Sequence, residues 1–231
     1  MKLVCDRFES VIEWEEGKIC SLVLENPDVF RGVISDLVTG LDGMETNMIL
    51  SRDNKEIKIS SNVELITSYI PFEVNTKRML SSLLSVLEKE AVNEQHFEQT
   101  QELMAEIERY MDDLSFYLPA DLEYKINVAG LLKMAAPRLN LGDCIGIEQI
   151  YAYMQFYREV IGERLFVFVN LREFYNEEDV EKFINTVVAH KYSILLIDNK
   201  EYQKIDCEKR LIIDADPVSY THLRAHETGA Y

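Results

Sequence analysis

The chain has 231 residues and a hydrophobic fraction of 47%, enough to bury a core as one or two domains. Its formal net charge of −17 opposes indiscriminate binding to polyanions. No apolar run reaches the roughly 20 residues that a membrane helix needs, and residues 1–6 do not resemble the apolar core of a signal peptide. We therefore expect a cytoplasmic protein without a membrane partner.

The first predicted α/β element lies near the N-terminus. Residues 18–24 form a strand candidate, and residues 28–38 show helical spacing after Pro27, which suits a first helical position. P-loop proteins carry their GxxxxGK[ST] loop between such a strand and helix, but here the loop is Glu25-Asn26-Pro27, without glycine or lysine. Backbone amides cannot wrap a phosphate closely in this loop, and Glu25 repels it. We expect no nucleotide to bind there.

A helical insertion follows over residues 71–155. An apolar stripe on one helix fades through residues 93–96 and resumes on a second, which predicts two helices that meet at a polar tip (Met79, Leu80, Leu83, Leu84 and Leu87; then Leu103, Met104, Ile107, Met111 and Leu114). Glutamates at intervals of four predict a solvated face (Glu90, Glu94, Glu98, Glu102 and Glu106). Further helices are predicted at residues 129–136 and 147–160.

The segment 164–200 is typical of a βαβ unit. Two short, continuously apolar runs, 165–169 and 192–197, flank a helical pattern over 177–189, which predicts a parallel sheet buried on both faces. In a P-loop NTPase such a strand would lead to a carboxylate that holds magnesium, but Asn170 stands there. The predicted fold class is α/β, with a degenerate P-loop-NTPase-like head that lacks the phosphate loop and an inserted α-helical arm.

The domain boundaries follow from these elements. Residues 1–70 and 156–217 are predicted to form a discontinuous head, and residues 71–155 the arm. Residues 218–231 resemble a translated sequencing adapter, so we interpret them as a non-native tail and draw no metal site from His222 and His226. The four cysteines are scattered without a CxxC motif, which favours buried thiols over zinc or disulfides. Trp14 is either a packing anchor or an interface residue.

Three phrases, in this order of elements, carry a family resemblance: LVLE (22–25), DLEY (121–124) and LFVFVN (165–170). Together they resemble the Csn-two family, CRISPR-associated proteins of type II-A systems, over nearly all the chain up to Asp216. The resemblance implies a homotetrameric ring that threads double-stranded DNA, prefers free ends, slides inward and binds calcium. It also implies support of spacer acquisition in antiviral defence, beside the CRISPR integrase and effector nuclease, without catalysis by this subunit.

The resemblance places calcium at Asp121 and Glu123. Lys125 and Ile126 stand where family members can carry further carboxylates, so we expect weaker calcium binding or ligands from a neighbouring subunit. Without the resemblance, this pair would be acidic residues at a helix start, near the N-terminal dipole.

A ring would reconcile the acidic composition with DNA, because basic residues can line the hole while acids face outward. Candidate DNA contacts on the arm are Lys77, Arg78, Lys125, Lys133 and Arg138. Each of these has ordinary solvated surface as its alternative. No pattern for base reading is present, so contacts to the DNA backbone are expected.

Two other functions stay open. One is a degenerate NTPase-fold enzyme: Asp198 is its nearest candidate carboxylate, and an acidic pair beside Lys18 in a pocket would favour it. The other is an interaction scaffold of the adaptation complex whose arm oligomerises without binding DNA. No GxSxG, SxxK or Cys/His pattern supports a hydrolase.

Overall fold

The structure is a computed structural model that describes residues 1–120 and 122–213. Within them the chain forms two compact units. The sheet unit comprises Met1–Phe72, Cys144–Ala152 and the chain from Glu163 onward, and the helical unit comprises Glu73–Asp143 and Tyr153–Gly162. Helix-forming residues 147–160 are divided between the units, because residues 144–152 belong to the sheet unit and residues 153–162 to the helical unit. The predicted domain boundaries stay a prediction. The predicted tail, 218–231, lies outside the described residues.

The described residues contain strands and helices in alternating groups. The strands are β1 (Lys2–Cys5), β2 (Phe8–Glu13), β3 (Ile19–Leu24), β4 (Met48–Arg52), β5 (Lys55–Ile57), β6 (Val63–Ile66), β7 (Leu165–Val169), β8 (Ser193–Asp198) and β9 (Glu208–Ile213). The helices are α1 (Pro27–Leu41), α2 (Ile59–Asn62), α3 (Lys77–Ala91), α4 (Phe97–Ser115), α5 (Val128–Ala135), α6 (Ile147–Val160), α7 (Leu171–Phe174) and α8 (Glu177–Ala189).

A five-stranded sheet forms the centre of the sheet unit. Its order is β6-β7-β8-β3-β9, and every neighbouring pair is parallel. All residues of β3 and β7 are buried, which agrees with strands covered on both faces. On one face Val33 and Leu37 of α1 join the core, and on the other Phe183 of α8 meets Phe168 edge to face at 5.7 Å. The predicted parallel-rich α/β architecture is confirmed.

A second, antiparallel sheet with order β2-β1-β4-β5 was not predicted. Its strands are short, so their alternation of buried and exposed residues is hard to separate from loop sequence. The pair Asp53-Asn54 was a sequence signal for a hairpin turn, because Asp and Asn tolerate positive φ values. Both residues do have positive φ values, 53° and 59°, in the turn between β4 and β5. Next to this sheet, the Trp14 indole packs against the core and donates a hydrogen bond to Ile194 O at 2.8 Å. Trp14 is therefore a packing anchor.

The helical unit contains the two predicted helices that meet at a polar turn. Thr76 caps α3 by accepting a hydrogen bond from Met79 N at 3.2 Å, and Asn93 Oδ1 accepts from the amides of Gln95 and His96 in the turn. The spaced glutamates of the predicted stripe are exposed, as a solvated face requires. After them, α5 packs against α3 and is capped by Asn127.

No helix in the described part of the chain is both long and apolar enough to cross a membrane. All four cysteines are free: Cys5 and Cys20 are buried, while Cys144 and Cys207 are partly exposed. Burial raises the pKa of the Cys20 thiol to about 12, so this thiol stays protonated and packs as a small apolar side chain.

Candidate functional site

The loop after β3 occupies the position of a phosphate loop, and its own side chain fills the anion position. Asn26 Oδ1 accepts hydrogen bonds from Asp28 N at 2.9 Å and Val29 N at 3.3 Å. These first-turn amides are the groups that a helix offers to a phosphate. Asp28 adds a carboxylate to the same turn. The arrangement leaves little to attract a nucleotide phosphate.

Asn170 ties together the ends of β7 and β8. Its backbone has φ 54°, in the left-handed region, and its amide donates to Ile197 O at 2.8 Å. Its side-chain Oδ1 accepts a hydrogen bond from Asn199 N at 3.1 Å. These contacts hold the chain that leaves β8 against the end of β7.

Four charged residues near this edge form a cluster that we call the buried ion cluster: Arg172, Asp198, Glu208 and Arg210. Asp198 has no exposed surface, and Glu208 and Arg172 are 3% and 8% exposed. Arg172 Nη2 lies 2.9 Å from Glu208 Oε2, and Arg172 Nε lies 3.7 Å from Asp198 Oδ2. Arg210 donates to both carboxylate oxygens of Glu208, at 2.9 and 3.1 Å.

The two carboxylates of the buried ion cluster differ in pKa. Burial raises the pKa of Asp198 to about 6, against the opposing attraction of Arg172. Burial also opposes ionisation of Glu208, but hydrogen bonding by Arg210 and the charge of Arg172 together hold the pKa of Glu208 below its ordinary value. Since Asp198 is enclosed, it is not open to a substrate, and the enzyme hypothesis gains no support from it.

Lys18 lies beside an acidic pair at a cavity, an arrangement that favours the enzyme hypothesis. Glu15, Glu16 and Lys18 line a cavity of about 390 Å³. Each acid, however, is in ion pairs: Lys18 and Lys209 lie 3.0 and 2.8 Å from Glu15, and Lys191 lies 3.0 Å from Glu16. Hydrogen bonds from Lys209 and Lys18 lower the pKa of Glu15 to about 2. A carboxylate that stays ionised is a poor general acid near neutral pH.

Four of the five predicted DNA-contacting residues lie on two segments of the helical unit that hydrogen bonds connect. Asn75 and Leu139 exchange two hydrogen bonds, Asn75 Nδ2 to Leu139 O at 3.1 Å and Leu139 N to Asn75 Oδ1 at 2.7 Å. This pair joins the start of α3 to the chain that follows α5. We call the four basic residues on α3, α5 and the chain after α5 the basic cluster: Lys77, Arg78, Lys133 and Arg138. Lys77, Lys133 and Arg138 are exposed, and Arg78 is half-buried.

The fifth candidate, Lys125, is exposed in the segment before α5. Tyr124, its neighbour, holds this segment to the end of α4, because Tyr124 OH donates to Met111 O at 3.0 Å and lies 2.9 Å from Ser115 Oγ.

The predicted calcium residues are only partly described. Glu123 is exposed, while Asp121 lies outside the described residues. In the part of the chain that the structure describes, no group of three or more His, Cys, Asp or Glu side chains is placed to hold a metal ion. Calcium prefers six to eight oxygen ligands, so Glu123 with its described neighbours does not fit a calcium site unless ligands come from elsewhere.

Two features of these sites were not predicted from the sequence. The buried ion cluster joins Glu208 and Arg210, two positions apart on β9, to the distant residues Arg172 and Asp198. The Asn75–Leu139 pair spans 64 positions. The only advance signal was a charge within or next to an apolar strand, at Asp198 and Arg172.

Comparisons with known proteins agree with this architecture. A family model described as CRISPR-associated protein (Cas_Csn2), the Csn-two family named above, matches residues 41–217. The crystal structure of Stu0660 of Streptococcus thermophilus aligns with a TM-score of 0.60 and 17% identity, over 92% of this chain and 74% of that chain, so the two share a fold. A putative ABC transporter (ATP-binding protein) from Pyrococcus furiosus aligns at a TM-score of only 0.37 and 12% identity, over 87% of this chain and 88% of that one, which is too low to carry an argument. The chain thus belongs to the Csn-two family of CRISPR-associated proteins, and its role lies in CRISPR adaptation.

Proposed function

We propose that this chain is a non-catalytic, cytoplasmic protein that binds double-stranded DNA ends without sequence specificity and supports spacer acquisition. In this proposal it forms a calcium-stabilised homotetrameric ring around DNA and works with the CRISPR integrase and effector nuclease. The observation that supports the proposal is the contact between Asn75 and Leu139, which joins the two segments that carry the basic cluster in a chain of net charge −17.

Local charge decides whether DNA is attracted to this surface. By contrast with the basic cluster, α4 carries six carboxylates (Glu98, Glu102, Glu106, Glu108, Asp112 and Asp113) and one arginine. A duplex would bind at the start of α3, because contacts between basic side chains and phosphates release condensed counterions. It would avoid the exposed face of α4, because the carboxylates there repel phosphates. The exposed, flexible lysines of the basic cluster suit contacts to the DNA backbone and make no pattern for reading bases.

The absence of catalysis is proposed on the state of the candidate groups. The first-turn amides of α1 are occupied by Asn26, Asp198 is enclosed with Arg172, and Glu15 is paired with two lysines. The parallel order of the central sheet is compatible with a degenerate P-loop-like head, and the capped first-turn amides of α1 support a head that does not bind a nucleotide phosphate.

Self-association is supported by apolar surface after α4. Phe116 and Tyr117 are 91% and 81% exposed, and Leu114, Leu118 and Leu122 are also exposed. We call these five residues the apolar segment. An isolated exposed leucine is ordinary, but a run of aromatic and aliphatic side chains marks an interaction surface. A second copy of the chain is the partner that the proposed ring requires.

Calcium is proposed at Asp121 and Glu123 with further ligands from a neighbouring subunit, because the residues that the structure describes place no group of three or more acidic, His or Cys side chains for a metal ion. Glu123→Gln is then expected to weaken the calcium dependence of the assembly, measured by sedimentation with calcium or with chelator. A calcium response that Glu123→Gln leaves unchanged would remove this part of the proposal.

The experiment that tests the proposal compares linear with covalently closed circular duplex. The chain ending at Asp216 is bound to both at two salt concentrations, with calcium and with chelator. Salt-sensitive retention on linear DNA alone is expected, since a ring threads only onto ends. Failure on both DNA forms by an intact oligomer would contradict DNA binding.

The second candidate function is an oligomeric scaffold of the adaptation complex without direct DNA binding. The apolar segment favours it as much as it favours a ring. The two differ at the basic cluster: a scaffold keeps its oligomeric state and shows no salt-dependent retention of DNA.

A further inference from the structure

Residues 199–207, which connect β8 to β9, are attached to the sheet through the buried ion cluster. Arg210 Nη1 donates to Tyr202 O at 2.7 Å and lies 3.1 Å from Glu201 Oε1. Glu208 Oε2 accepts a hydrogen bond from Ile205 N at 3.1 Å, and Glu208 N donates to Ile205 O at 3.0 Å. The Arg172 guanidinium lies 5.8 Å from the centre of the Tyr202 ring. The position of residues 199–207 therefore depends on the ion pairs and hydrogen bonds of this cluster.

The two carboxylates of the cluster are unequally satisfied. Glu208 receives two hydrogen bonds from Arg210 and the ion pair with Arg172. Asp198 receives no hydrogen bond at either oxygen, although it is fully buried, and the Arg172 Nε atom 3.7 Å away is its ion-pair partner. An enclosed ionised carboxylate without a donor is unfavourable. The Arg172 guanidinium nitrogens also lack hydrogen bonds, so Asp198 is the carboxylate of the cluster whose charge is less well satisfied.

Charged and titratable groups face Asp198 from several elements. Arg172 and Glu173 come from α7, Glu208 and Arg210 from β9, and Tyr202 from the connection itself. Tyr69 approaches from the segment after β6, where its OH donates to Val169 O at 3.0 Å. The two arginines favour the charged form of Asp198, whereas Glu208 and Glu173 oppose it, and burial outweighs both influences. A proton is therefore expected to leave Asp198 at a higher pH than it leaves an exposed aspartate.

A cavity borders the cluster at Arg172. A cavity of about 300 Å³ between the first turns of α8 and residues 202–206 is lined by Arg172, Tyr202 and Ile205, among others. A cavity of this size with polar walls holds water, so protons can exchange with the cluster once the connection moves slightly.

We propose that the buried ion cluster is a proton-operated latch on residues 199–207. When Asp198 is protonated, Arg172 is held by Glu208 alone, and the cluster keeps the connection closed. When Asp198 is ionised, it competes with Glu208 for Arg172, and a buried carboxylate that accepts no hydrogen bond favours opening toward water.

The sign of the pH dependence follows from this linkage. Asp198 binds its proton more tightly in the closed state than in an open one, where the ordinary value is 3.8 and the closed value about 6. The stabilisation is complete at low pH and is lost as the pH rises toward and through 6. From pH 5 to pH 7 the equilibrium constant for opening rises about tenfold.

Amide hydrogen exchange of residues 199–207 tests the latch in the wild-type chain. After correction for the intrinsic pH dependence of exchange, protection is expected to fall about tenfold between pH 5 and pH 7. Asp198→Asn should stay protected at both values, because the amide cannot ionise. Asp206→Asn, an exposed change in the same connection, should keep the wild-type response.

Protection of residues 199–207 that does not change between pH 5 and pH 7 would overturn the latch, and so would an Asp198→Asn chain that keeps the wild-type response. If Asp198→Asn does not fold, carboxyl ¹³C titration of aspartate-labelled wild type decides the matter. An aspartate with a midpoint near 6 supports the latch, and the absence of any aspartate that titrates above pH 5 rejects it.

Discussion

At the scale of single residues, Asn26 determines what the first turn of α1 can bind. Its side chain accepts from two amides that would otherwise be open to an anion. The same contact is an N-cap, and caps of this kind contribute about 1 kcal/mol. The residue thus stabilises the helix and removes a ligand position at once.

Substitution of Asn26 separates capping from other roles. Asn26→Ala is expected to lower the free energy of unfolding by about 1 kcal/mol, and Asn26→Gly by only a few tenths. Asn26→Asp retains an acceptor and should resemble the wild type. Urea unfolding of the three variants measures this order. Equal stability of Asn26→Ala and Asn26→Asp would show that the cap contributes nothing.

Individual residues also show which features the sequence predicts and which it does not. The sequence predicted the loss of the phosphate loop at Glu25-Asn26-Pro27, because the glycines and lysine of a P-loop are close together in sequence. The sequence did not predict the pairing of Arg172 with Asp198 and Glu208, because contacts between distant positions depend on the whole fold.

At the scale of elements, α1 and α2 meet through a glycine. A Cβ atom at Gly40 would lie 2.8 Å from Ile59 Cδ1 and 3.2 Å from Ile59 Cβ. Both residues are buried, so the contact has little room to relax. Close packing of these two helices requires the absence of a side chain at position 40.

Gly40→Ala is expected to destabilise the protein by about 1–3 kcal/mol through overpacking, against a gain of up to ~1 kcal/mol from helix propensity. The added change Ile59→Ala should reduce the penalty of Gly40→Ala, since it removes the atoms in conflict. Thermal unfolding of both backgrounds measures the coupling. A Gly40→Ala protein more stable than the wild type would contradict this packing.

The apolar segment after α4 is expected to hold subunits together. Phe116→Ser with Tyr117→Ser should shift the protein to smaller species, because both side chains lose apolar contact area. Sedimentation velocity over a range of concentrations measures the shift. Ile145→Ser is the control, since Ile145 is 79% exposed but lies outside the apolar segment. An unchanged oligomer in the double variant would move the interface elsewhere.

The helices and strands differed in how clearly the sequence predicted them. β7 and α8 occur at the predicted residues because β7 is continuously apolar and α8 has a full apolar stripe after an Asn176 cap. β1, β2, β4 and β5 were missed because these short strands mix charged or polar side chains with apolar ones, so they show no continuous apolar run. The basic residues of α3 and α5 were identified as candidates, but their gathering by Asn75 and Leu139 needed the fold.

At the scale of the whole molecule, net charge and local charge point in opposite directions. The chain carries 41 acidic and 24 basic residues, yet the proposed DNA contact needs only one surface where the basic residues prevail. Charge reversal at that surface should act on binding, whereas reversal elsewhere should not.

Reversal of the exposed basic cluster with Lys77→Glu, Lys133→Glu and Arg138→Glu is expected to abolish salt-sensitive retention of DNA while the oligomer stays intact. Single neutral changes such as Lys133→Gln should lower the slope of log affinity against log salt by about 0.9 for each phosphate contact removed. Lys182→Glu on α8 is the matched control. Equal losses in Lys182→Glu and Lys133→Glu would mean that total charge, not the cluster, governs binding.

Dissociation from linear duplex whose two ends are blocked after loading tests most directly whether the protein encircles DNA. A bulky protein cap on each end keeps a threaded ring on the DNA, so at high salt the protein should remain bound to blocked DNA and leave DNA with free ends. Equal dissociation from blocked and free DNA would contradict a ring that encircles the duplex.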